Sequence, residues 1–170
     1  NLPIESGAID GYWSLGVIEH FWRGYDQISG EMYRVLRPGG YLFLTFPVMS
    51  PIRKYKANRK CYLIFNKQNV DEGGFYQFAL DPCSVRKHFE DKGFVVKKFK
   101  YMDGLKGLKD ELLPHPWLQS LYDSSIFFAR AVRKILNTIL SPFTGHVIYF
   151  VFQKPFVLET AADSAPLQSS

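Results

Sequence analysis

The chain has 170 residues and a mass of 19.6 kDa; 46% of its residues are apolar, 16% aromatic and 22% charged. These values place it among globular domains and exclude collagen-like, coiled-coil and low-complexity chains. Twenty-one Lys and Arg against sixteen Asp and Glu give a net charge of +5, and a chain of this length buries roughly 70% of its unfolded surface, enough for one core without disulfides or structural metal.

In chain order, Ala8 to Val17 is a short apolar run with aromatic residues, closed by Glu19-His20, and predicts a strand ending in a loop. From Gly24 to Leu36, Tyr25, Ile28, Met32, Val35 and Leu36 recur at helical spacing, with Asp26 and Glu31 toward the start, so this stretch predicts an amphipathic helix. Arg37-Pro38-Gly39-Gly40 should stop it in a tight turn. Residues 41–46 are apolar almost throughout, which suggests a parallel strand buried on both faces and completes a βαβ unit. The stretch from Pro47 to Gly74 is longer than an ordinary connection and reads as a functional loop. It holds five cations within eight residues: Arg53, Lys54, Lys56, Arg59 and Lys60.

After residues 75–80, Asp81-Pro82 supplies an N-cap and a first-turn proline for a helix that Gly93 ends. Residues 94–101 and 146–154 are strands, and residues 159–170, small and polar, read as a disordered tail. Between those strands lies a helical insertion at about 104–143. Within 128–140, positions 128, 132, 135, 136 and 139 share one face and Arg130, Arg133, Lys134 and Asn137 the other. Such a helix either caps the domain or, with Trp117, Phe127 and Phe128 nearby, docks on a membrane or hydrophobic substrate.

Cys61 and Cys83 make neither a disulfide framework nor a C-x-x-C site, so a reducing, intracellular home is the default expectation. The opening Asn-Leu-Pro-Ile-Glu-Ser-Gly lacks the charged and apolar regions of a signal peptide. No run of about 18 apolar residues is present. The expected location is the cytoplasm, or the inner face of a membrane as a peripheral protein.

Three stretches together resemble the class I S-adenosylmethionine-dependent methyltransferases of the methyltransferase type 11 group: Leu2-Pro3 with Ala8-Ile9-Asp10-Gly11, then Ser14 to Phe21 (S-L-G-V-I-E-H-F), then Glu31 to Leu42 (E-M-Y-R-V-L-R-P-G-G-Y-L). The resemblance spans residues 2–47, extends through 75–101 with the Lys92-Gly93-Phe94 ending, and reaches 146–154 by position only. It implies an α/β, Rossmann-like domain over residues 1–155, holding strands four to seven of a seven-stranded sheet. It also implies S-adenosylmethionine as cofactor. The family's glycine-rich cofactor loop is missing, since no G-x-G occurs anywhere in the sequence. The chain therefore reads as the C-terminal part of such a domain, with the N-terminal half as its missing partner, inactive alone and prone to aggregate or dimerise through an open sheet edge.

By the same resemblance, the backbone of Leu15, Gly16 and Val17 lies near the amino-acid portion of the cofactor, where Gly16 permits close approach. Methyl transfer is an in-line displacement in which the protein supplies positioning, dryness and, for some acceptors, a base. His20 is the candidate base, because an imidazole is competent to take a proton from a hydroxyl or activated carbon. Glu19 could orient it, contact the cofactor's ammonium, or cap the following helix. Arg53, Lys54 and Lys56 are candidate clamps for an anionic acceptor or lipid headgroups, against the plainer reading of a solvated loop. His88, His115 and His146 read as structural or surface residues. Nucleic acid is disfavoured, because Tyr55 is the sole aromatic in the basic cluster, and no metal set is present in the motifs. The expected function is methyl transfer to a small, lipid-linked or anionic acceptor; the alternative is a non-catalytic scaffold or peripheral membrane module.

Overall fold

The computed structural model describes residues 2–62, 75–112, 116, 120 and 123–156. His115, Trp117, the 159–170 tail and much of the second half of the 47–74 stretch lie outside them. Among the described residues the fold is carried by β1 (Ile9–Leu15), α1 (Asp26–Val35), β2 (Leu36–Pro47), α2 (Pro51–Asn58), α3 (Pro82–Asp91), β3 (Val95–Met102), α4 (Gly104–Glu111), α5 (Phe127–Thr144) and β4 (Val147–Gln153). A 3₁₀ turn, Ile18–His20, follows β1. The sheet order is β1-β2-β4-β3, with β1 and β2 parallel and β4 antiparallel to both its neighbours.

β1, α1 and β2 form the expected βαβ unit, but the Pro38-Gly39-Gly40 turn sits inside β2. The register passes from Ile9↔Leu36 to Gly11↔Tyr41 across it, with Gly39 at φ 81°. A left-handed glycine allows that bulge, so the chain enters the sheet without a separate loop. Arg34, near the end of α1, donates to the carbonyls of Ile4 (2.8 Å) and Leu2 (3.2 Å), pinning the residues before β1. Lys154 donates 2.8 Å bonds to the carbonyls of Tyr33 and Leu36, neutralising the exposed carbonyl end of α1.

β2 is buried on one face rather than both. Leu42, Leu44 and Phe46 join Ile148, Phe150 and Phe152 of β4, Met32 of α1, and Val85 and Phe89 of α3 in the core. The other face carries Trp13 stacked on Phe43 (4.7 Å), which stacks in turn with Tyr41 and Tyr149, and Trp13 and Leu15 are 63% and 58% exposed. The expected loop after Pro47 instead opens with α2, started by Pro51 at its first turn. Asp81 caps α3 as its position predicts, accepting from Ser84 N at 3.0 Å.

The long C-terminal helix, α5, packs on α4 by a face that hydrophobic patterning did not single out. Leu105 N donates to Asn137 Oδ1 (2.8 Å), Gly104 N to Ser141 Oγ (3.1 Å), and Thr144 Oγ1 to the Gly104 carbonyl (2.7 Å). Asn137 and Ser141 thus cap two free N–H groups at the start of α4 from another helix, while Thr144 donates to its first carbonyl. Gly107 makes the approach feasible, since a Cβ there would collide with the Thr144 carbonyl. As a result Val132 and Leu136 are half-buried, while Phe128, Ile135 and Ile139 stand outward, so the single apolar face expected over 128–140 is divided.

Candidate functional site at the carboxyl end of β1

β1 and β2 are parallel, so both deliver their carboxyl ends to the same edge of the sheet, the edge at which open α/β folds place ligands. β1 ends at Leu15, and Gly16 turns the chain at φ 68°, its N–H bonded to the Thr45 carbonyl at 3.0 Å. Leu15 and Gly16 are exposed and Val17 is half-buried. A Cβ at Gly16 would lie 3.3 Å from Glu19 Oε1, so glycine here both adopts the left-handed turn and leaves the carboxylate room.

Glu19 is the unusual residue of this turn. It is 2% exposed, and its Oε2 has no hydrogen-bond partner among the described residues. Burial pushes its carboxyl above the ordinary carboxylate range, offset in part by a backbone hydrogen bond and by His20. Its main chain is occupied, its carbonyl accepting from Phe78 N at 3.0 Å. A buried carboxylate with an idle oxygen costs stability unless something cationic arrives to meet it.

His20, one residue on, is exposed. Its Nδ1 lies 2.7 Å from the Tyr76 carbonyl, and a carbonyl can only accept, so Nδ1 carries the proton. In the neutral ring this leaves Nε2 with a free lone pair, the form a general base requires. The Tyr76 ring contacts the imidazole edge-on at 5.3 Å. Beside this pair, Trp22 stacks on Phe78 (5.6 Å) and both touch Phe75, walling an apolar cavity of about 160 Å³ with Ile18, Tyr25 and Leu80. Residues 75–80 thus form one side of the site, a role that no motif within them announced. Tyr76 acts through its carbonyl, which any residue could supply.

The cationic candidates lie on α2, which leaves β2 from the same edge of the sheet. Their charges are already met. Arg53, 9% exposed, binds Glu111 Oε1 through Nε at 2.7 Å and the Val48 carbonyl through Nη1 at 2.9 Å, and its Nη2 meets His146 Nδ1 at 3.0 Å. Lys56 donates to the Glu111 carbonyl at 2.7 Å and to Oε2 at 3.0 Å, and Tyr62 also donates to that oxygen. Lys54 pairs with Asp81 at the start of α3 and stays half exposed. Burial alone would raise Glu111, but the hydrogen bonds from Tyr62, Arg53 and Lys56 outweigh it and hold the carboxyl below its ordinary range. Arg53 and Lys56 therefore join α2 to α4, leaving Lys54 as the α2 candidate best placed to reach solvent. Among the described residues, no group of His, Cys, Asp and Glu has a metal-binding arrangement.

Residues 1–44 match a family model described as a methyltransferase domain. No curated protein matches the sequence. Among solved structures, an S-adenosylmethionine-dependent methyltransferase from Methanosarcina mazei aligns with TM-score 0.54 and 13% identity over 92% of this chain and 64% of its own. The complex of the Haloferax volcanii Trm112 methyltransferase activator with a methyltransferase aligns with TM-score 0.50 and 16% identity over 91% of this chain and 57% of that one. The [4+2]-cyclase SpnF gives TM-score 0.50 and 15% identity over 92% and 53%. The chain thus spans roughly half to two thirds of the length of the structures it resembles. The described fold is that of the S-adenosylmethionine-dependent methyltransferases, and S-adenosylmethionine is that group's cofactor; the cyclase shows that this fold also carries other chemistry.

Proposed function

We propose that this chain, methyltransferase-like in its first 44 residues and in its fold, is the acceptor-side part of an S-adenosylmethionine-dependent methyltransferase acting on a small, anionic or lipid-linked acceptor. Its four strands correspond to strands four to seven of a seven-stranded sheet, and the glycine-rich cofactor loop comes from outside these 170 residues. The observation that carries the reading is the idle Oε2 of buried Glu19 at the carboxyl end of β1. An α-ammonium group would answer that unmet charge, and the space that a Gly16 Cβ would fill lets a ligand approach the backbone of Leu15, Gly16 and Val17.

When bound, the cofactor would supply a methyl group on a sulfonium, which the acceptor atom would take in line as the C–S bond breaks and S-adenosylhomocysteine leaves as a thioether. The chain's own residues do the rest. Glu19 holds the cationic end, Trp22 and Phe78 keep one wall dry, and His20 Nε2 takes the acceptor's proton when the acceptor is a hydroxyl or a carbon acid. Lys54, half exposed on α2, draws an anionic acceptor toward the same edge of the sheet.

Calorimetric titration of S-adenosylmethionine into the chain extended through its native reading frame tests the reading, with Glu19→Gln beside it. The expected result is binding that Glu19→Gln weakens more than about tenfold, the range for losing a charged hydrogen bond. Binding that ignores Glu19→Gln would remove Glu19 from the site. Absence of binding would favour the second reading, a non-catalytic scaffold or membrane module, which the missing G-x-G supports. If a base is used, His20→Gln lowers turnover by about 10²-fold or more.

A further inference from the structure

β3 and α5 line an open groove of about 550 Å³, at the opposite end of the sheet from β1. At about 100° per residue, Arg130, Lys134, Asn137 and Ser141 of α5 fall within an arc of about 60° that lines this groove, away from the exposed Ile135-Ile139-Phe143 side of the helix. Lys100 joins them from β3, and Arg133, half-buried, is a fourth basic residue of the lining. Unlike Arg53 and Lys56, which Glu111 neutralises, Lys100, Arg130 and Lys134 have no acidic side-chain partner among the described residues. Asp103 is the acidic residue of the lining. Its neighbour Gly104 bonds through N–H to Ser141 Oγ, so Asp103 lies at the Ser141 end of the groove, and Ser141 is about 16 Å along the helix from Arg130. Between the two ends, Asn137 gives its Oδ1 to Leu105 N and Thr138 its hydroxyl hydrogen to the Lys134 carbonyl. That leaves Asn137 Nδ2 as a donor and Thr138 Oγ1 as an acceptor.

We propose that this groove binds a phosphorylated, hydroxyl-bearing small molecule of the sugar phosphate class, with its phosphate on Arg130, Lys134 and Lys100 and its hydroxyls on Asn137, Thr138 and Asp103. Cations from two elements supply one forked donor and two point charges to a phosphate dianion. Asp103 repels an anion but accepts from hydroxyls, so it orients the ligand and disfavours one that is anionic along its whole length. The volume is that of a small-molecule site, and it exceeds what a lone phosphate fills. A nucleic-acid strand fits less well, because the lining offers no exposed aromatic ring on which a base could stack. The groove lies at the other end of the sheet from Glu19, so the inference stands whether or not the chain transfers methyl groups.

Calorimetric titration of the full chain with ribose 5-phosphate, inorganic phosphate and ribose in turn provides the test. Ribose 5-phosphate should bind at least about tenfold more tightly than inorganic phosphate, the range for added hydrogen bonds to a charged group. Ribose alone should not bind measurably, and added salt should weaken the phosphate-bearing ligands. Arg130→Ala/Lys134→Ala, at two exposed positions, should weaken ribose 5-phosphate at least about tenfold with an unchanged melting curve. Arg86→Ala/Lys87→Ala, an equal charge change at α3, should leave it within about twofold. Asp103→Asn, which the φ of 57° tolerates because Asn adopts left-handed backbone, should remove most of the advantage of ribose 5-phosphate and leave inorganic phosphate as tight or tighter. No binding of ribose 5-phosphate, an affinity no greater than that of inorganic phosphate, or equal losses in the two double variants would overturn the proposal. So would a loss in Lys54→Ala that Arg130→Ala/Lys134→Ala does not share, since the phosphate would then sit at α2. A single-stranded RNA that binds more tightly than ribose 5-phosphate, through Arg130 and Lys134, would also overturn it and make nucleic acid the occupant.

Discussion

Glu19 and Glu111 are both shielded carboxylates, and they have opposite environments. Glu111 sits between α2 and α4 with Arg53, Lys56 and Tyr62 donating to it, and those bonds hold it ionised. Glu19 sits at the end of β1 with an idle oxygen, and burial favours its protonated form. A carboxylate whose charge is met from within the chain contributes to the fold. One left unmet is held at a cost by the surrounding structure, and a ligand can recover that cost.

The largest effect expected from breaking this contrast is at Glu111. Glu111→Ala leaves Arg53 buried without its partner and should lower stability by about 3–5 kcal/mol in chemical denaturation; a loss below about 1 kcal/mol would show that the pairs are solvated. Next is the helix contact that keeps α4 in place. Gly107→Ala drives a methyl group into the Thr144 carbonyl and should cost about 1–3 kcal/mol in the same measurement.

Glu19→Gln should act in the other direction. The folded carboxyl is raised, so its contribution is favourable below the ordinary pKa of 4.5 and is lost as pH rises through the folded value. At neutral pH the substitution should therefore raise the melting temperature by about 2–4 °C. Together with weaker cofactor binding, this would separate a binding residue from a structural one.

The smallest effect is in the pH profile. Burial lowers His88 and His146, and Lys106 and Arg53 lower His146 further. Below the ordinary histidine pKa of 6.5 the folded chain then binds fewer protons than the unfolded one. Stability should be complete above about pH 7 and decline toward pH 5. His146→Gln should flatten part of that decline in thermal melts taken across the range.

The local elements were largely legible. α1 follows from apolar residues at helical spacing, α3 from Asp81-Pro82, and β4 from its aromatic and β-branched run, because each signal lies within one or two turns or pleats of chain. That β1 ends in a turn at Gly16–His20 was also legible, from the apolar run that Glu19-His20 closes; its reading as a site rests on its spelling and stands as a proposal. The basic run at 53–60 was not readable as structural, since the partner of Arg53 and Lys56 is Glu111, more than fifty residues away in sequence. Nor was the burial of one face only of β2, which depends on which helices come to cover the sheet.

The sequence alone determined the βαβ unit, the methyltransferase-like motifs of residues 1–44 and the net charge of +5, because periodicity, capping and composition are local or additive properties. The tertiary structure decided which charges are satisfied and which face of α5 is left outward. Gly104 and Gly107 admit Asn137, Ser141 and Thr144 as the contact, and Glu111 absorbs one cationic cluster while Lys100, Arg130 and Lys134 stay outside its reach. Both outcomes depend on pairs of residues that meet only when the chain has folded, and charge and apolarity acquire a function according to what they meet.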